Sequence, residues 1–191
     1  MGKRSAGAFA RRKHDLYRTW DPRAVAPLLP HLPAGARFFE PCAGDGDLIE
    51  LLTAAGLECA GGCDIDGPYG YYEKKPGRVE RLGTIAHGDA TKHDAAGHYY
   101  DFDFYITNPP WTRDLLHAII LNLYWQRPTW LLFDADWSHT LQARPYMPLC
   151  RRIVSVGRVR WMEGTDNDGK DNAAWHLFAP AGTTDFIGRA A

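Results

Sequence analysis

The sequence predicts an α/β protein with an open, mostly parallel sheet that ends in an antiparallel hairpin. Short apolar strands alternate with amphipathic helices between residues 37 and 133, which is the pattern of a parallel sheet covered by helices. A glycine-containing turn lies between the first strand and the first helix. Two apolar segments near the carboxyl terminus, residues 153–162 and 174–178, are joined by polar residues and predict the hairpin.

The composition fits a single domain without a membrane segment. The chain has 191 residues, of which 45 % are hydrophobic and 24 % are charged, as is usual for a globular protein with one core. No apolar run approaches the roughly 20 residues of a membrane span, and the amino terminus lacks the apolar core of a secretory signal. We therefore expect a cytoplasmic protein that does not contact membranes.

Charge is unevenly distributed although it nearly balances. The net charge of −1 excludes the global basic field of many nucleic-acid binders. The residues before the first acid, Asp15, nevertheless include Lys3, Arg4, Arg11, Arg12 and Lys13. These form either a solvated tail or an arm that contacts phosphates. The sequence thus predicts a basic arm at residues 1–16 and one domain at residues 17–191.

The first half of the chain predicts three strands and one helix. Residues 37–40 form a strand that Pro41 ends, and an apolar stripe over residues 48–52 marks a helix that stops at Gly56. Residues 58–64 are the second predicted strand and residues 84–86 a short third one. Between them, the tyrosines and lysines of residues 67–83 form either a nucleic-acid surface or part of a short irregular helix.

The second half predicts two more strands, a helix and the hairpin. Residues 102–107 alternate apolar and polar side chains and predict the fourth strand. Thr112 is placed to cap a helix that runs to Leu123. A buried strand at residues 130–133 follows, then a helical stretch at 138–143 and the hairpin, whose polar connection at residues 163–172 is expected to be mobile. Expected in the core are Trp125, Trp130, Trp161 and Trp175.

The turn after the first strand, residues 39–46 (FEPCAGDG), predicts close contact between backbone and ligand. Gly44 and Gly46 permit unusual dihedral angles there. A dinucleotide fingerprint would need a third glycine where Ile49 stands, which disfavours a nicotinamide cofactor. Asp64 ends the next strand 20 positions after Gly44, so it either accepts hydrogen bonds from ribose hydroxyls or merely forms a turn.

Residues 108–111 (NPPW), directly after the fourth strand, predict a site that binds an amino group. The two prolines fix the backbone and contribute no N–H groups of their own. The Asn108 side-chain oxygen and the Pro109 carbonyl can then accept the two N–H bonds of one amino group. Trp111 offers a face on which a planar base or amide stacks. The alternative is an ordinary turn.

Several other chemistries are disfavoured. Cys59 and Cys63 could form half of a metal site, but no second pair of ligands follows at zinc-binding spacing. Neither Gly-x-Ser-x-Gly nor a phosphate-binding Gly-x₄-Gly-Lys-Ser/Thr motif occurs. We therefore expect no metal ion. Asp134 and Asp136 follow the fifth strand and either contact substrate or cap the next helix.

The order of these motifs resembles the class I amino-methyltransferases, in which a Rossmann-like sheet binds S-adenosyl-L-methionine. The residues that carry the resemblance are EPCAGDG at 40–46, Asp64 and NPPW at 108–111, and it extends over about residues 17–178. Within the family the chain is most similar to the small adenine-N6 DNA methyltransferases of phages and prophages. This implies transfer of a methyl group from S-adenosyl-L-methionine to an exocyclic amino nitrogen.

The resemblance also implies the roles of individual residues. The implied cofactor-binding residues are Tyr17, Thr19, Glu40, Pro41, Gly44, Gly46, Asp64, Asp89 and Asn108. The first two belong to the segment that closes over the methionine end of the cofactor, and residues 40–46 form the cofactor loop. Asp64 is the ribose ligand, and Asp89 takes the adenine amino group of the cofactor. The implied catalytic residues are Asn108, Pro109, Pro110 and Trp111.

Adenine in DNA is the substrate that the resemblance favours. RNA adenine and a protein glutamine amide remain alternatives, because related enzymes use Asn-Pro-Pro and an aromatic residue on those substrates. A non-catalytic, cofactor-binding partner subunit is a third alternative, although Asn108 and Trp111 are intact. The sequence leaves no residues for a separate target-recognition domain, and a homodimer is one expected assembly.

Overall fold

The computed structural model describes residues 18–67, 69–75, 78–92, 100–162, 167–180 and 182–189, with the backbone alone for residues 69–75 and 78–84. The strands are β1 (Arg37–Glu40), β2 (Glu58–Asp64), β3 (Tyr69–Lys75), β4 (Arg78–His87), β5 (Phe104–Thr107), β6 (Thr129–Asp134), β7 (Cys150–Gly157), β8 (Ala173–Phe178) and β9 (Asp185–Ile187). The α-helices are α1 (Asp47–Ala54) and α2 (Arg113–Leu123), and short 3₁₀ turns occur at Pro22–Ala24, Leu29–His31, Ala135–His139, Leu141–Ala143 and Met147–Leu149.

These strands form one sheet in the order β3-β4-β2-β1-β5-β6-β8-β7-β9. The central pairs β4–β2, β2–β1, β1–β5 and β5–β6 are all parallel. On one side, β8 pairs antiparallel with both β6 and β7. The open, mostly parallel sheet with a carboxyl-terminal antiparallel hairpin is therefore confirmed.

The two helices cover the sheet with the apolar stripes that the sequence predicts. On α1, Leu48, Ile49 and Leu52 are buried, and the helix ends before Gly56, whose φ of 92° lies in the left-handed region. On α2, the buried residues are Leu116, Ile119, Ile120 and Leu123. Burying one such side chain contributes roughly 1.5–3 kcal/mol, so packing on the sheet stabilises both helices.

The strand order places a crevice beside β1. From β1 the chain moves outward through β2 to the edge strand β3, comes back one position to β4, and then crosses to β5 on the other side of β1. The loops that leave the carboxyl ends of β1 and β5 therefore turn in opposite directions. Ligands of open α/β sheets bind at this kind of switch point.

Several expectations need correction. Within residues 67–83, those at 69–75 and 78–83 belong to the antiparallel pair β3–β4 and not to a helix. The first arm of the carboxyl-terminal hairpin ends at Gly157 instead of residue 162, because Gly157 has a φ of 90° and the chain turns out of the sheet there. Trp125 is 50 % exposed, whereas Trp130 and Trp175 are buried as expected. The edge strand β9, which pairs in parallel with β7, was not predicted.

Hydrogen bonds join part of the polar connection between β7 and β8 to the segment before β1. In its described part, the Asp168 carboxylate accepts a 2.7 Å hydrogen bond from the Arg23 guanidinium. Arg23 also binds Asp21, which is buried and accepts the backbone N–H of Arg160. Residues 163–166 and the basic arm at 1–16 lie outside the described residues. No helix in the described segments is long and apolar enough to cross a membrane.

Candidate active site

A cavity of about 300 Å³ opens at the carboxyl ends of β1, β2, β4 and β5. Its walls come from the loops that follow these four strands, from the segment before β1 and from one face of α2. The lining residues are Arg18, Thr19, Glu40, Pro41, Cys42, Ala43, Gly44, Asp45, Asp47, Leu48, Asp64, Ile65, Asp66, Gly88, Asp89, Ala90, Thr91, Asn108, Pro110, Leu115 and Ile119. The fold thus brings both predicted motifs to one cavity.

The glycine turn after β1 forms one wall. Gly44 and Gly46 have φ angles of 49° and 90°, a conformation that residues with a side chain rarely adopt. The Gly44 N–H donates a 2.9 Å hydrogen bond to the Asp64 carboxylate, whose other oxygen accepts the N–H of Asp66 at 3.0 Å. Asp64 therefore shapes the turn and also lines the cavity; its contact with ribose hydroxyls stays a prediction.

Glu40 places a buried carboxyl group in the same wall. It is 2 % exposed, and its Oε2 atom has no hydrogen-bond partner among the described residues. Burial raises the pKa of Glu40 well above its usual range, and the nearby carboxylates of Asp64 and Asp47 raise it further. An acceptor left without a partner in a cavity wall costs stability and is suited to bind a ligand that carries N–H groups and positive charge.

Asp89 lies in the wall after β4, with its side chain engaged locally. One carboxylate oxygen accepts hydrogen bonds from the backbone N–H and the hydroxyl of Thr91, and the other lies 3.1 Å from the Lys92 amine. Partial burial alone would raise the pKa of Asp89, but the bonds from Thr91 and Lys92 outweigh it and hold the pKa below its usual value. Asp89 is therefore a charged acceptor at the cavity wall.

The α2 helix holds this loop in place. The amide nitrogen of Asn122 donates to the backbone carbonyls of Ala90 and Lys92, each at 2.9 Å. These carbonyls flank the turn that Asp89 begins. Asn122 is not predicted from the sequence, since an asparagine within an amphipathic helix carries no signal of a contact with a loop about 30 positions earlier.

The tetrapeptide after β5 contributes Asn108 and Pro110 to the cavity. The Trp111 indole N–H donates to the Asn108 side-chain oxygen at 3.1 Å and to the Leu132 carbonyl at 3.2 Å. The Asn108 amide nitrogen donates to the Thr19 hydroxyl at 2.9 Å. The amide group of Asn108 is thus held at both ends, a feature that the motif alone did not predict.

The segment before β1 closes one end of the cavity. Arg18 forms two hydrogen bonds of 2.5 Å with the Asp47 carboxylate at the start of α1, and Thr19 is 5 % exposed. Arg18 therefore contacts α1, the helix that follows the glycine turn, and the adjacent Thr19 contacts Asn108 of the tetrapeptide. Thr19 lines the cavity, and its contact with the cofactor stays a prediction; Tyr17 lies outside the described residues.

Of the predicted site residues that the structure describes, Gly46, Pro109 and Trp111 do not line the first cavity. Trp111 borders a second, smaller cavity of about 90 Å³. The residues that line it are Trp111, Arg113, Leu116, Phe133, Asp134, Trp137, Thr140 and Gln142. Trp161 crosses Trp111 nearly at right angles, with ring centroids 5.6 Å apart. Asp134 caps the following 3₁₀ turn by accepting the N–H of Asp136. No three acidic, cysteine or histidine side chains among those described are grouped as metal ligands.

Similarity to known proteins is confined to structure. No protein-family model and no curated protein matches this sequence. A protein from Vibrio vulnificus YJ016 assigned as the modification subunit of a type I restriction enzyme aligns over 91 % of this chain, with 12 % identity and a TM-score of 0.53. The aligned region is 47 % of that subunit, so the present chain spans about half of its length.

Two further structures align less closely. A TehB-like S-adenosylmethionine-dependent methyltransferase from Corynebacterium glutamicum aligns over 84 % of this chain and 88 % of its own, with 14 % identity and a TM-score of 0.48. TrmN from Thermus thermophilus aligns over 83 % of this chain and 48 % of its own, with 17 % identity and a TM-score of 0.48. Taken with the strand order, the first alignment shows that the chain has a Rossmann-like methyltransferase fold.

Proposed function

We propose that the chain is an S-adenosyl-L-methionine-dependent N-methyltransferase that acts on an exocyclic amino nitrogen, with adenine N6 in DNA as the substrate. The observation that carries the proposal is that the glycine turn and Asn108 line the same cavity. Such an enzyme must bring an amino nitrogen and a methyl donor together. The turn is suited to the donor and the tetrapeptide to the amino group.

The residues of the cavity fit this cofactor. A volume of about 300 Å³ lies at the lower end of the usual range for small-molecule sites. Glu40 offers an acceptor for the cationic methionine end, and Asp64 keeps acceptor positions for ribose hydroxyls, because a carboxylate can accept about four hydrogen bonds. Ile65 and Leu115 are partly exposed apolar residues in the wall and suit a planar adenine.

In the proposed mechanism Asn108 and Pro109 prepare the substrate nitrogen. S-adenosyl-L-methionine supplies an electrophilic methyl group at its sulfonium. A carbonyl oxygen has two acceptor positions, and Trp111 occupies one of those on Asn108. In the proposed complex the Asn108 oxygen accepts one N–H of the amino group and the Pro109 carbonyl accepts the second. These bonds favour a tetrahedral, nucleophilic nitrogen and stabilise its developing positive charge. The nitrogen forms a bond to the methyl carbon as the bond between that carbon and the sulfonium sulfur breaks, with its electron pair left on sulfur, and the proton that the nitrogen then loses passes to water.

DNA is proposed as the substrate on two grounds. The tetrapeptide resembles that of adenine-N6 enzymes, and the Vibrio protein of similar fold is assigned as a restriction-enzyme modification subunit. A base in a duplex must first leave the helix, at a cost of a few kcal/mol. We propose that the basic arm at residues 1–16 contacts phosphates and supplies part of the binding free energy. Trp111 would then hold the extruded base.

Two other functions use the same residues. An RNA adenine or a protein glutamine amide presents the same amino group, and only the surface outside the cavity would differ. A cofactor-binding subunit without activity of its own would require a catalytic partner, and a homodimer would make that partner a second copy. The Asn108 contacts favour an active enzyme, because a subunit without catalysis does not require an amide held at both ends.

The proposal is tested by incubating the protein and labelled cofactor with separate DNA, RNA and protein samples. Any labelled product is then digested and its methylated residue is identified by mass analysis. We expect N6-methyladenine in DNA, and loss of at least about a hundredfold in turnover in Asn108→Ala with cofactor affinity retained. Label in RNA or protein would correct the substrate. A protein that binds cofactor but transfers no label in any sample, alone or as a dimer, would contradict the enzyme assignment.

A further inference from the structure

The orientation of the Asn108 amide is determined by its two neighbours. The Trp111 indole N–H lies 3.1 Å from one end of the amide and the Thr19 hydroxyl lies 2.9 Å from the other. An indole nitrogen can only donate a hydrogen bond, so it faces the amide oxygen. The amide nitrogen therefore faces Thr19, whose hydroxyl accepts. Rotating the amide by half a turn would place two donors, the indole and the amide nitrogen, against each other.

Thr19 lies on a segment that is anchored on both sides. Before it, Arg18 binds the Asp47 carboxylate. After it, the buried carboxylate of Asp21 accepts the backbone N–H of Arg160. Thr19 is 5 % exposed and 89 positions from Asn108 in the chain. It therefore acts as a fixed acceptor, not as a side chain that follows the movements of Asn108.

We propose that Thr19 is a positioning residue for Asn108, which differs from the cofactor contact that the family resemblance implies. By accepting the amide N–H, Thr19 keeps the Asn108 oxygen turned toward the substrate position. Without it, the indole N–H of Trp111 alone would hold the amide, and the larger range of amide orientations would include ones that present the nitrogen to the substrate amino group. This inference rests on the proposed function, since it concerns the same reaction.

The two roles of Thr19 predict different kinetic changes. Thr19→Val keeps the shape of the side chain and removes the acceptor, whereas Thr19→Ser keeps the acceptor. A positioning role predicts that Thr19→Val lowers kcat by about tenfold to a hundredfold with the cofactor Kd within about twofold, and that Thr19→Ser restores most of kcat. An increase in the cofactor Kd with kcat unchanged at saturation would overturn the proposal and restore the cofactor contact.

A double-mutant cycle shows whether Thr19 acts through Asn108. If it does, adding Thr19→Val to Asn108→Ala lowers single-turnover rates no further, because the amide that it positions is gone. Independent, multiplicative losses would overturn the proposal. Thr53→Val is the matched control, since the Thr53 hydroxyl makes a 2.7 Å hydrogen bond within α1 and lies outside the cavity; we expect its kcat to match that of the unaltered protein.

A spectroscopic measurement keeps this test separate from the choice of substrate. The side-chain amide resonances of Asn108, identified by their loss in Asn108→Ala, should shift in Thr19→Val and return toward their original positions in Thr19→Ser. Unchanged resonances would show that the contact is absent and would overturn the inference even if DNA is methylated. A shift in a protein that methylates no DNA would instead leave the contact intact and contradict only the proposed substrate.

Discussion

The backbone N–H of Gly44 lies 2.9 Å from the Asp64 carboxylate, so the turn after β1 and the end of β2 are joined inside the cavity wall. Asp66 bonds the second oxygen of the same carboxylate. One side chain thus supports the loop's positive-φ conformation, and its carboxylate has further acceptor positions. The structural role of Asp64 and its proposed binding role therefore depend on the same carboxylate.

Asp64→Ala should weaken binding of S-adenosyl-L-methionine and lower stability together. Loss of charge-assisted bonds to the ribose should cost about 1–3 kcal/mol in calorimetric affinity. Loss of the bonds to Gly44 and Asp66 should lower the Tm, by roughly 2–4 °C for each kcal/mol lost. Asp101→Ala serves as the control, because that side chain is 94 % exposed. A lower Tm with unchanged affinity would remove Asp64 from the cofactor site.

Glu40→Gln should stabilise the free protein while weakening cofactor binding. Burial and the neighbouring carboxylates raise the pKa of Glu40 in the fold. The unfolded chain loses this proton near pH 4.3, whereas the folded protein retains it to higher pH, so stability falls as pH rises above that value. The neutral amide avoids this loss but removes the negative charge that suits a cationic ligand.

Thermal unfolding of the free protein between pH 4 and pH 8 measures the first effect. We expect Glu40→Gln to melt above the unaltered protein at pH 8, with a difference that shrinks toward pH 4. Glu58→Gln is the control, because the Glu58 side chain is 69 % exposed. In parallel, the affinity of the unaltered protein for S-adenosyl-L-methionine should rise with pH as Glu40 ionises. Equal melting curves at every pH would show that ionisation of Glu40 does not lower the stability of the folded protein.

Local sequence patterns predicted the elements that positioned the site. The bounds of β1 and β2 followed from contiguous apolar residues that end at Pro41 and Asp64, and α1 followed from an apolar stripe between two glycines. The β3–β4 pair did not follow, because the tyrosines and lysines of 67–83 fit a helix or a surface equally well and no local pattern indicates which segments pair. Strand pairing is a tertiary property that outweighs local propensity.

In the candidate site, too, local motifs were predicted from the sequence and tertiary contacts were not. Motifs that are contiguous in sequence, such as NPPW, were recognised because their chemistry depends on neighbouring residues. The contacts that orient them were not recognised: Trp161 reaches Trp111 only because β8 and β7 follow β6 in the sheet. The contact between Thr19 and Asn108 likewise spans 89 positions, so it has no periodicity or spacing that a sequence could reveal.

The buried His176 should make the protein sensitive to acid. Its ring stacks on Phe133 with centroids 3.9 Å apart, and burial lowers the pKa of His176 to about 3. An unfolded histidine binds its proton near pH 6.5, whereas the folded one stays neutral. Stability is therefore lost as pH falls below about 6.5, with a limiting slope of about 1.4 kcal/mol per pH unit.

His176→Phe should remove this part of the pH dependence. Phenylalanine keeps an aromatic ring against Phe133 but removes the 3.1 Å contact between the His176 Nδ1 atom and the Ala174 carbonyl, which costs about 0.5–1.5 kcal/mol at every pH. Denaturant unfolding at pH 7, 6, 5 and 4 should show the variant gaining on the unaltered protein as pH falls. The exposed His139 provides the control His139→Asn. If stability falls equally with pH in His176→Phe and in the unaltered protein, His176 is not the source of the acid sensitivity.

Asn122 should control the loop that carries Asp89 without taking part in the reaction. Its amide nitrogen bonds the carbonyls of Ala90 and Lys92, and each bond contributes about 0.5–1.5 kcal/mol. In Asn122→Ala we expect faster hydrogen exchange at residues 88–92 and weaker affinity for S-adenosyl-L-methionine, by roughly threefold to tenfold if about 1 kcal/mol of loop order is lost. At saturating cofactor kcat should stay the same, because Asn108 lies on a different loop.

The control for Asn122→Ala is Leu121→Ala, which changes a neighbouring α2 residue that is 49 % exposed and should alter neither hydrogen exchange nor affinity. Faster exchange without loss of affinity would mean that Asp89 does not hold the cofactor.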